Sequence, residues 1–226
     1  MKLAWRHRWD LTPAQARQLQ SEARRRVSLE DDAAAVVLPP CLFAVDVGYD
    51  RATDRCAASL IQWDVGRGRV VAAWSNLQPS TFPYVPGLLS FRELPPLLPL
   101  LTRLRRKPEL ILCDGQGYAH PRRIGLASHL GVLLDCPTLG WAKSRLIGEH
   151  ARLPEYAGAA VILTDGGDRI GWVFRSRANC RPTFVSPGHR LSLERSLELA
   201  RALMGRYRLC DPARAAHQAT REALAG

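Results

Sequence analysis

Residues 42–48 form an apolar run that contains a single acid, and this run constrains the fold more than any other part of the chain. Its sequence is Leu-Phe-Ala-Val-Asp-Val-Gly, with Asp46 between two valines. A run this short and this apolar predicts a strand buried on both faces of a sheet. An ionised carboxylate inside such a strand is costly unless it is neutralised. The chain must therefore offer Asp46 a positive partner, or the side chain must leave the sheet at the end of the strand.

Two further strands are predicted directly after this run, over residues 57–64 and 69–75. Gly66-Arg67-Gly68 provides the turn between them, so the first strands form an antiparallel meander. A fourth strand, over residues 109–113, follows a helix and ends at Asp114. Because a crossover through a helix returns this strand beside the first one, we expect Asp46 and Asp114 to be neighbours.

The rest of the chain alternates between helices and strands. A helix capped by Thr12 is expected to end near Arg26, and residues 31–40 are expected to form a loop. A helix after Pro86 is limited in length by three prolines. Later predictions are a helix over residues 121–131, a strand near 137–141, edge strands at 159–164, 170–174 and 182–186, and helices beginning at Ser192 and near Pro212.

This element order indicates an α/β, ribonuclease-H-like fold. Its mixed sheet has a three-strand antiparallel meander followed by parallel strands, and helices cover both faces. The chain has 226 residues and no linker or internal repeat, so we expect residues 1–226 to form a single domain.

Charge and cysteine usage narrow the class of protein. The net charge is +11, with 32 basic against 21 acidic residues, which favours an acidic partner such as nucleic acid. An arginine-rich genome would produce the same bias, so charge alone does not indicate a nuclease. None of the six cysteines forms a Cys-x-x-Cys pair, which argues against a zinc site, and Cys113 is expected in the core. With no signal peptide or membrane-spanning stretch, we expect reduced thiols and a cytoplasmic location.

Asp46 and Asp114 together suggest a metal site. Asp114 is followed by the glycine-rich turn Gly115-Gln116-Gly117, at the strand end where side chains point into the functional crevice of an open sheet. Two adjacent carboxylates repel unless a divalent cation lies between them, and carboxylate oxygens suit Mg²⁺ or Mn²⁺. Glu93 is either a third ligand or the group that holds a water molecule at the metal. Such a cluster is suited to phosphodiester hydrolysis with one metal or two.

The segment from Pro83 to Glu93 predicts a stiff loop. In Pro83-Tyr84-Val85-Pro86, each proline fixes its own φ and pushes the preceding residue towards an extended conformation. The ring of Tyr84 is therefore held on a rigid support, where it can act as a wedge against stacked bases. The alternative is that Tyr84 is an ordinary core aromatic.

These segments resemble the endonuclease V family of deoxyinosine-repair nucleases. The resemblance rests on Val-Asp-Val-Gly-Tyr around Asp46, on the long block from Pro83 to Glu93, and on Asp114-Gly-Gln-Gly with the following His120-Pro-Arg-Arg. Ala142-Lys143-Ser144, Val185-Ser-Pro-Gly-His189 and Ala216-His217 also fit, so the resemblance covers residues 42–217. The family's pattern implies a ribonuclease-H-like fold and hydrolysis of the second phosphodiester bond 3′ to hypoxanthine in DNA. It also implies 3′-hydroxyl and 5′-phosphate products, a requirement for Mg²⁺ with Mn²⁺ as a substitute, and inosine-containing RNA as the substrate of related enzymes.

The resemblance also implies roles for individual residues. Asp46 and Asp114 are metal ligands, with Glu93 beside them, and Lys143 meets the scissile phosphate. His217 assists the attacking water or a second metal. Tyr84 is the wedge, and the glycines let the backbone approach the extruded base. The predicted substrate contacts are Pro83, Tyr84, Val85, Pro86, Gly87, Leu88, Leu89, Gly115, Gln116, Gly117, His120 and Arg122.

Several alternatives stay open at this point. His120 either contacts substrate, holds the Asp114 loop or caps a helix, and His189 orders its turn. Arg122 touches phosphate or belongs to a solvated helix face. The same carboxylates would serve a ribonuclease-H-like nuclease of other specificity, such as a junction resolvase or an RNA-directed enzyme. A non-catalytic nucleic-acid-binding module is the third possibility. We expect a monomer with no membrane partner.

Overall fold

The predicted meander lies at one end of an eight-stranded sheet. The computed structural model describes residues 1–31, 38–50 and 54–226. In chain order its elements are α1 (Pro13–Arg24), β1 (Cys41–Asp50), β2 (Arg55–Asp64), β3 (Arg69–Pro79), α2 (Leu89–Thr102), β4 (Ile111–Cys113), α3 (Leu126–Leu134), β5 (Thr138–Ala142), β6 (Ala160–Asp165), β7 (Asp168–Phe174), β8 (Thr183–His189), α4 (Leu193–Ala202) and α5 (Asp211–Ala225).

The strand order is β3-β2-β1-β4-β5-β8-β7-β6. Strands β1, β2 and β3 pair antiparallel, whereas β4 and β5 continue the sheet parallel to β1, as predicted. The prediction that residues 170–174 and 182–186 lie at the edge is wrong, because β7 pairs antiparallel with both β6 and β8, and β8 pairs antiparallel with both β5 and β7. Every residue of β8 is buried, which agrees with its position between two strands. The edge strand at this end of the sheet is β6.

Helices cover both faces of the sheet, and β4 shows how its residues divide between them. Ile111 and Cys113 face a core that contains α2 and α3, whereas Leu112 faces a core that contains α4 and α5. This alternation is the period of two that a strand buried on both faces must show. Cys113 is fully buried, as predicted, and all six cysteines are unpaired.

Three predicted helices differ in their bounds from the observed ones. α1 carries the predicted capping box, in which the side chains of Thr12 and Gln15 exchange bonds with each other's backbone, but it ends at Arg24. α2 runs through Pro95, Pro96 and Pro99. The prolines do not limit it because its apolar face, including Leu94, Leu97 and Leu101, is buried against the sheet.

α3 begins at Leu126 rather than near residue 121. Residues 121–123 form a turn instead, and Arg123 has a positive φ of 56° that a helix does not allow. Of the predicted loop over residues 31–40, positions 32–37 lie outside the described residues. Within the described ranges, no helix combines the length and apolar character needed to cross a membrane.

Candidate active site

Asp46 and Asp114 lie side by side where the pairing between the parallel strands β1 and β4 ends. Val45 of β1 pairs with Cys113 of β4, and each carboxylate residue comes directly after its member of this pair. The backbone N–H of Asp114 donates to the carbonyl of Val45 at 3.4 Å. Asp46 is only 8% exposed. The sheet topology therefore brings the two predicted acids together.

Glu93 joins this pair from helix α2. It is 7% exposed, and burial raises its pKa well above the ordinary glutamate range, with further contributions from Asp46 and Asp114. Burial also raises the pKa of Asp114, although the ammonium of Lys143 opposes this effect. The charge of Asp46 contributes to the raised pKa of both Glu93 and Asp114, which is the electrostatic condition that a bound cation would relieve.

Two nitrogen groups face the acids. Lys143 follows β5, the third parallel strand, and its ammonium forms an ion pair with Asp114 Oδ2. His217, on α5, donates from Nδ1 to Asp46 Oδ2 at 3.2 Å. On the same helix, the Thr220 hydroxyl donates to the Asp46 carbonyl at 3.4 Å. The five residues predicted to carry the chemistry are therefore gathered in one place.

The donor set fits a hard divalent cation held by few protein ligands. Among the described residues, no three His, Cys, Asp or Glu side chains surround a common point as a finished metal site. Mg²⁺ is usually held by one or two carboxylates, with water and substrate phosphate completing its coordination. Asp46 and Asp114 meet that requirement, and the pKa values of Asp114 and Glu93 are raised first by burial and further by the neighbouring carboxylates. Glu93 as a third ligand stays a prediction.

The loop before α2 presents Tyr84 to solvent. Its side chain is 71% exposed, so the alternative of a core aromatic is wrong. Behind it, Leu88 N–H donates to Val85 carbonyl at 2.9 Å, with Pro86 and Gly87 between them and a φ of 77° at Gly87. Proline followed by a residue of positive φ is the pattern of a type II turn. The tyrosine therefore projects from a rigid, tightly turned support.

A pocket of about 310 Å³ opens between this loop and the carboxylates. Asp114 and Lys143 contribute to its wall, so the pocket adjoins the acidic cluster. Its volume lies at the lower end of the range for small-ligand sites, about 300–1,000 Å³. The predicted substrate residues that line it are Tyr84, Val85, Pro86, Gly87, Leu89, Gly115, Gln116 and His120.

Four predicted contact residues are not in the pocket wall. Leu88 is buried in a core with Phe82 and Phe91, because the turn directs it inwards. Pro83 lies outside the wall, and Gly117 lies under it, where its N–H donates to Ser186 Oγ at 2.9 Å. Arg122 lies behind the loop and supports it.

The Gly87 carbonyl is the anchor of the Tyr84 loop. It accepts hydrogen bonds from Gln20 Nε2 at 3.0 Å, His120 Nε2 at 3.0 Å and Arg122 Nη2 at 2.9 Å. The Arg122 guanidinium also donates to the side chain of Gln20. His120 and Arg122 therefore fix the loop from behind, and the helix-capping alternative for His120 does not apply, because α3 begins further on.

The structure adds residues that the sequence did not indicate. Gln20 on α1 is 1% exposed, and only its place on the buried face of a helix distinguished it. The Ser144 carbonyl accepts from Gln116 Nε2 at 2.9 Å and so orients that side chain at the pocket. His189 is structural but does not order a turn as predicted, because Pro187 and Gly188 lie within β8; it accepts from Ser28 N–H and donates to Asp135.

The hydrogen bonds of His120 predict acid sensitivity. Nε2 donates to Gly87 while Nδ1 accepts from Arg122 N–H, which fixes a neutral tautomer, and burial lowers its pKa to about 4. The unfolded chain takes up a proton near pH 6.5 and the folded one does not, so stability is lost as pH falls from about 6.5 to about 4. His120 accounts for up to about 3 kcal/mol of this loss. Urea unfolding at several pH values should show that the free energy of unfolding falls less with decreasing pH in His120→Gln than in the wild type. An unchanged pH profile would contradict this prediction.

Comparison with known proteins agrees with this geometry. The family model described as Endonuclease V matches residues 21–218. An endonuclease V of Azotobacter vinelandii is 46% identical over 208 residues, covering 92% of this chain and 93% of the relative. The crystal structure of the endonuclease V of Streptomyces avermitilis superposes with a TM-score of 0.88 at 40% identity, covering 96% of this chain and 95% of the other.

A more distant structure shows the same fold with nucleic acid bound. Endonuclease V of Ciona intestinalis, crystallised with a 24mer DNA containing an inosine followed by a ribo-adenosine, has a TM-score of 0.81 at 24% identity. It covers 94% of this chain and 97% of its own. The family model and the closer relatives decide membership, because each spans most of the chain. The chain therefore belongs to the endonuclease V family of metal-dependent nucleases.

Proposed function

We propose that this nuclease recognises deoxyinosine in DNA and hydrolyses the second phosphodiester bond 3′ to it, leaving a 3′-hydroxyl and a 5′-phosphate. The observation that carries the proposal is the pocket beside the acidic cluster, in whose wall Asp114 and Lys143 take part. A lesion base held there lies next to the groups that cut its strand. Family membership supports the proposal, and so does the inosine-containing DNA bound by the Ciona protein.

Mg²⁺, with Mn²⁺ as a substitute, is the proposed metal, held by Asp46 and Asp114 with Glu93 beside them. When bound there, it would polarise the phosphodiester, lower the pKa of water and stabilise charge on the leaving oxygen. Lys143 is aimed at the same place and meets a phosphate oxygen as a compact charge. His217 donates to Asp46 through Nδ1, which leaves Nε2 as a base for the attacking water.

Base recognition follows from the rigidity of the loop. Extruding a base from the stack costs a few kcal/mol, and least where pairing is poor, as for hypoxanthine. Tyr84 would fill the space that the base leaves, and the pocket would receive the base between the Gly87 turn and the Gly115–Gly117 strand end. The three donors that hold the Gly87 carbonyl keep this wall in place before the substrate arrives.

Nucleases of other specificity would use the same carboxylates. The main alternatives are cleavage of inosine-containing RNA and cleavage of branched DNA, and the third is binding without catalysis. The exposed Tyr84 and the adjoining pocket favour the lesion enzyme, and the assembled cluster of Asp46, Asp114, Lys143 and His217 argues against a purely binding role. That residues 1–226 act as one domain, as a monomer in the cytoplasm, belongs to the same proposal.

A nicking assay tests the function directly. The substrate is an end-labelled duplex with one deoxyinosine, incubated with Mg²⁺ or with chelator, beside an undamaged duplex and an inosine-containing RNA strand. We expect a Mg²⁺-dependent cut one nucleotide beyond the lesion on its 3′ side. Faster cutting of the RNA would identify inosine-containing RNA as the preferred substrate. The absence of any inosine-directed cut would reject the proposal.

Replacing Tyr84 by alanine is expected to weaken binding to the deoxyinosine duplex more than binding to undamaged duplex. Loss of base–aromatic stacking is worth about 1–3 kcal/mol, or roughly fivefold to 160-fold in affinity. The matched control is Tyr156→Ala, because Tyr156 is also a surface tyrosine, 65% exposed, outside the pocket wall. The affinities are measured in Ca²⁺ or chelator, so that the duplexes are not cleaved during the measurement. An equal loss on both duplexes would contradict the wedge role.

A further inference from the structure

A second cleft adjoins the acidic cluster on the other side of Lys143. It has a volume of about 730 Å³ and runs along the exposed face of α5. Its wall includes Trp63, Lys143, Tyr207, Arg208, Arg214 and Arg221. The pocket between the Tyr84 loop and the acidic cluster is called the lesion pocket below. Among the residues that the structure describes, Lys143 alone lines both this cleft and the lesion pocket. We call this cleft the α5 groove.

The groove is strongly basic. Four lysine or arginine side chains line it against a single carboxylate, that of Asp211. Arg214 lies 3.3 Å from the Tyr207 ring centroid and 3.7 Å from Asp211, so its position is fixed while its charge faces solvent. Arg221 forms no hydrogen bond or ion pair with any described residue. An unpaired guanidinium in a basic cleft is suited to binding phosphate.

Helix geometry aligns these charges with the acidic cluster. Arg214, His217, Gln218 and Arg221 occupy one exposed stripe of α5, at the spacing of a single helix face. His217 in the middle of the stripe contacts Asp46. At 1.5 Å per residue, Arg214 and Arg221 are about 10 Å apart along the axis, which is roughly the rise of three stacked nucleotides. The groove can therefore contact several successive phosphates of a strand that passes the cluster.

The arrangement of the two clefts sets a strand direction. The argument rests on the proposed function, in which the lesion base enters its pocket and the cut falls on the 3′ side. The scissile phosphate then lies at Asp114 and Lys143, and the following nucleotides must leave on the side away from the lesion pocket. We propose that the α5 groove binds the phosphodiester backbone of the strand segment 3′ of the cut, the segment that carries the new 5′-phosphate.

The test combines groove variants with substrates of unequal flanks. Arg214→Gln, Arg221→Gln and the double variant remove groove charge. Arg24→Gln is the matched control, since Arg24 is an exposed arginine in a different basic cleft, formed with Arg25 and Arg122 beyond the lesion pocket. One deoxyinosine duplex is long only on the 3′ side of the cut, and the other only on the 5′ side. The readouts are kcat/KM with Mg²⁺, the single-turnover rate at saturating enzyme, and the salt dependence of binding.

The wild type should cut the substrate with the long 3′ flank more efficiently than the one truncated there. The double variant should lose this preference while keeping its single-turnover rate. Its salt slope should fall by about two, near one per lost phosphate contact. Arg24→Gln should keep the preference for the 3′ flank. The proposal is overturned if the double variant keeps that preference, or if Arg24→Gln loses it, which would reverse the strand direction.

A binding measurement separates this proposal from the proposed function. The salt slope for an undamaged duplex does not require deoxyinosine recognition or cleavage. A lower slope in the double variant than in both wild type and Arg24→Gln would support the groove as a backbone site even if no inosine-directed cut is found. An unchanged slope would reject the groove whatever the lesion assay shows.

Discussion

Replacing Asp46 or Asp114 by asparagine is expected to lower the rate of inosine-directed cleavage by about a thousandfold or more. A bound metal contributes several kcal/mol of transition-state stabilisation, and each 1.36 kcal/mol corresponds to a factor of ten. Asparagine keeps the shape of the side chain but has no charge to hold a hard cation. Both residues lie just beyond the last residue pair of β1 and β4, and asparagine leaves the backbone pairing intact, so the substitution changes the cluster and not the sheet.

Of these substitutions, Asp46→Asn should not destabilise the metal-free protein. Burial and the neighbouring acids raise the pKa of Glu93 well above its usual range, and Asp46 is among the causes. Removing the charge of Asp46 relieves part of this conflict, so Asp46→Asn should melt at or above the wild-type temperature near neutral pH. Mg²⁺ should raise the melting temperature of the wild type and have little effect on the variant, because stabilisation by a ligand requires its binding site.

Single-turnover cleavage checks the predicted loss of activity. Thermal melting with and without Mg²⁺ checks the predicted stability and metal binding. Arg105→Gln is a suitable control, since Arg105 is an exposed charge in the loop after α2 and lines neither cleft. Retained cleavage in either asparagine variant would reject the metal assignment. A large loss of melting temperature in metal-free Asp46→Asn would instead assign Asp46 a structural role, through His217 and Thr220.

The pairing of the two central acids could be predicted because its origin is topological. β1 is a buried strand that contains one acid, and the parallel strand β4 is followed directly by another. Their pairing places Asp46 beside Asp114 whatever conformation the loops adopt. The positions of Lys143 and His217 came from the family resemblance, and the structure places both against those acids. The start of α3 was missed because the turn at residues 121–123 depends on tertiary contacts. Arg123 in that turn is held by the carboxylates of Asp165 and Asp168.

The support behind the pocket could not be predicted for the same reason. Gln20 and Gly87 are 67 residues apart, and nothing local in either segment indicates their hydrogen bond. The α5 groove was also missed, since its arginines are dispersed between Arg208 and Arg221 in a chain that is rich in arginine throughout. Local pattern predicted the strands that position the acidic cluster, whereas the lesion pocket and the α5 groove arise from contacts between distant segments.

Gly117→Ala is expected to be the most disruptive single-methyl change near the site. A Cβ at this position would lie 2.2 Å from the Pro187 carbonyl oxygen and 3.0 Å from that of Ser186. Both atoms are backbone of β8, so no side-chain rotation relieves the clash. Gly117 also donates to Ser186 Oγ and accepts from Gly125 N–H, each at 2.9 Å. Overpacking of this kind costs about 1–3 kcal/mol, and we expect the upper end.

The functional consequence follows from the position of Gly117 directly after Gly115 and Gln116, which line the lesion pocket. Displacing this turn from β8 moves the pocket wall and Asp114 together, so inosine-directed cleavage should fall even at temperatures where the variant is folded. Gly66→Ala is the matched control, because its Cβ would meet only Asp64 Oδ1 at an ordinary 3.6 Å and its φ is not positive. Urea unfolding and the nicking assay on both variants make the comparison. If Gly117→Ala proved as stable and as active as Gly66→Ala, close packing of the Asp114 turn against β8 would not be what shapes the pocket.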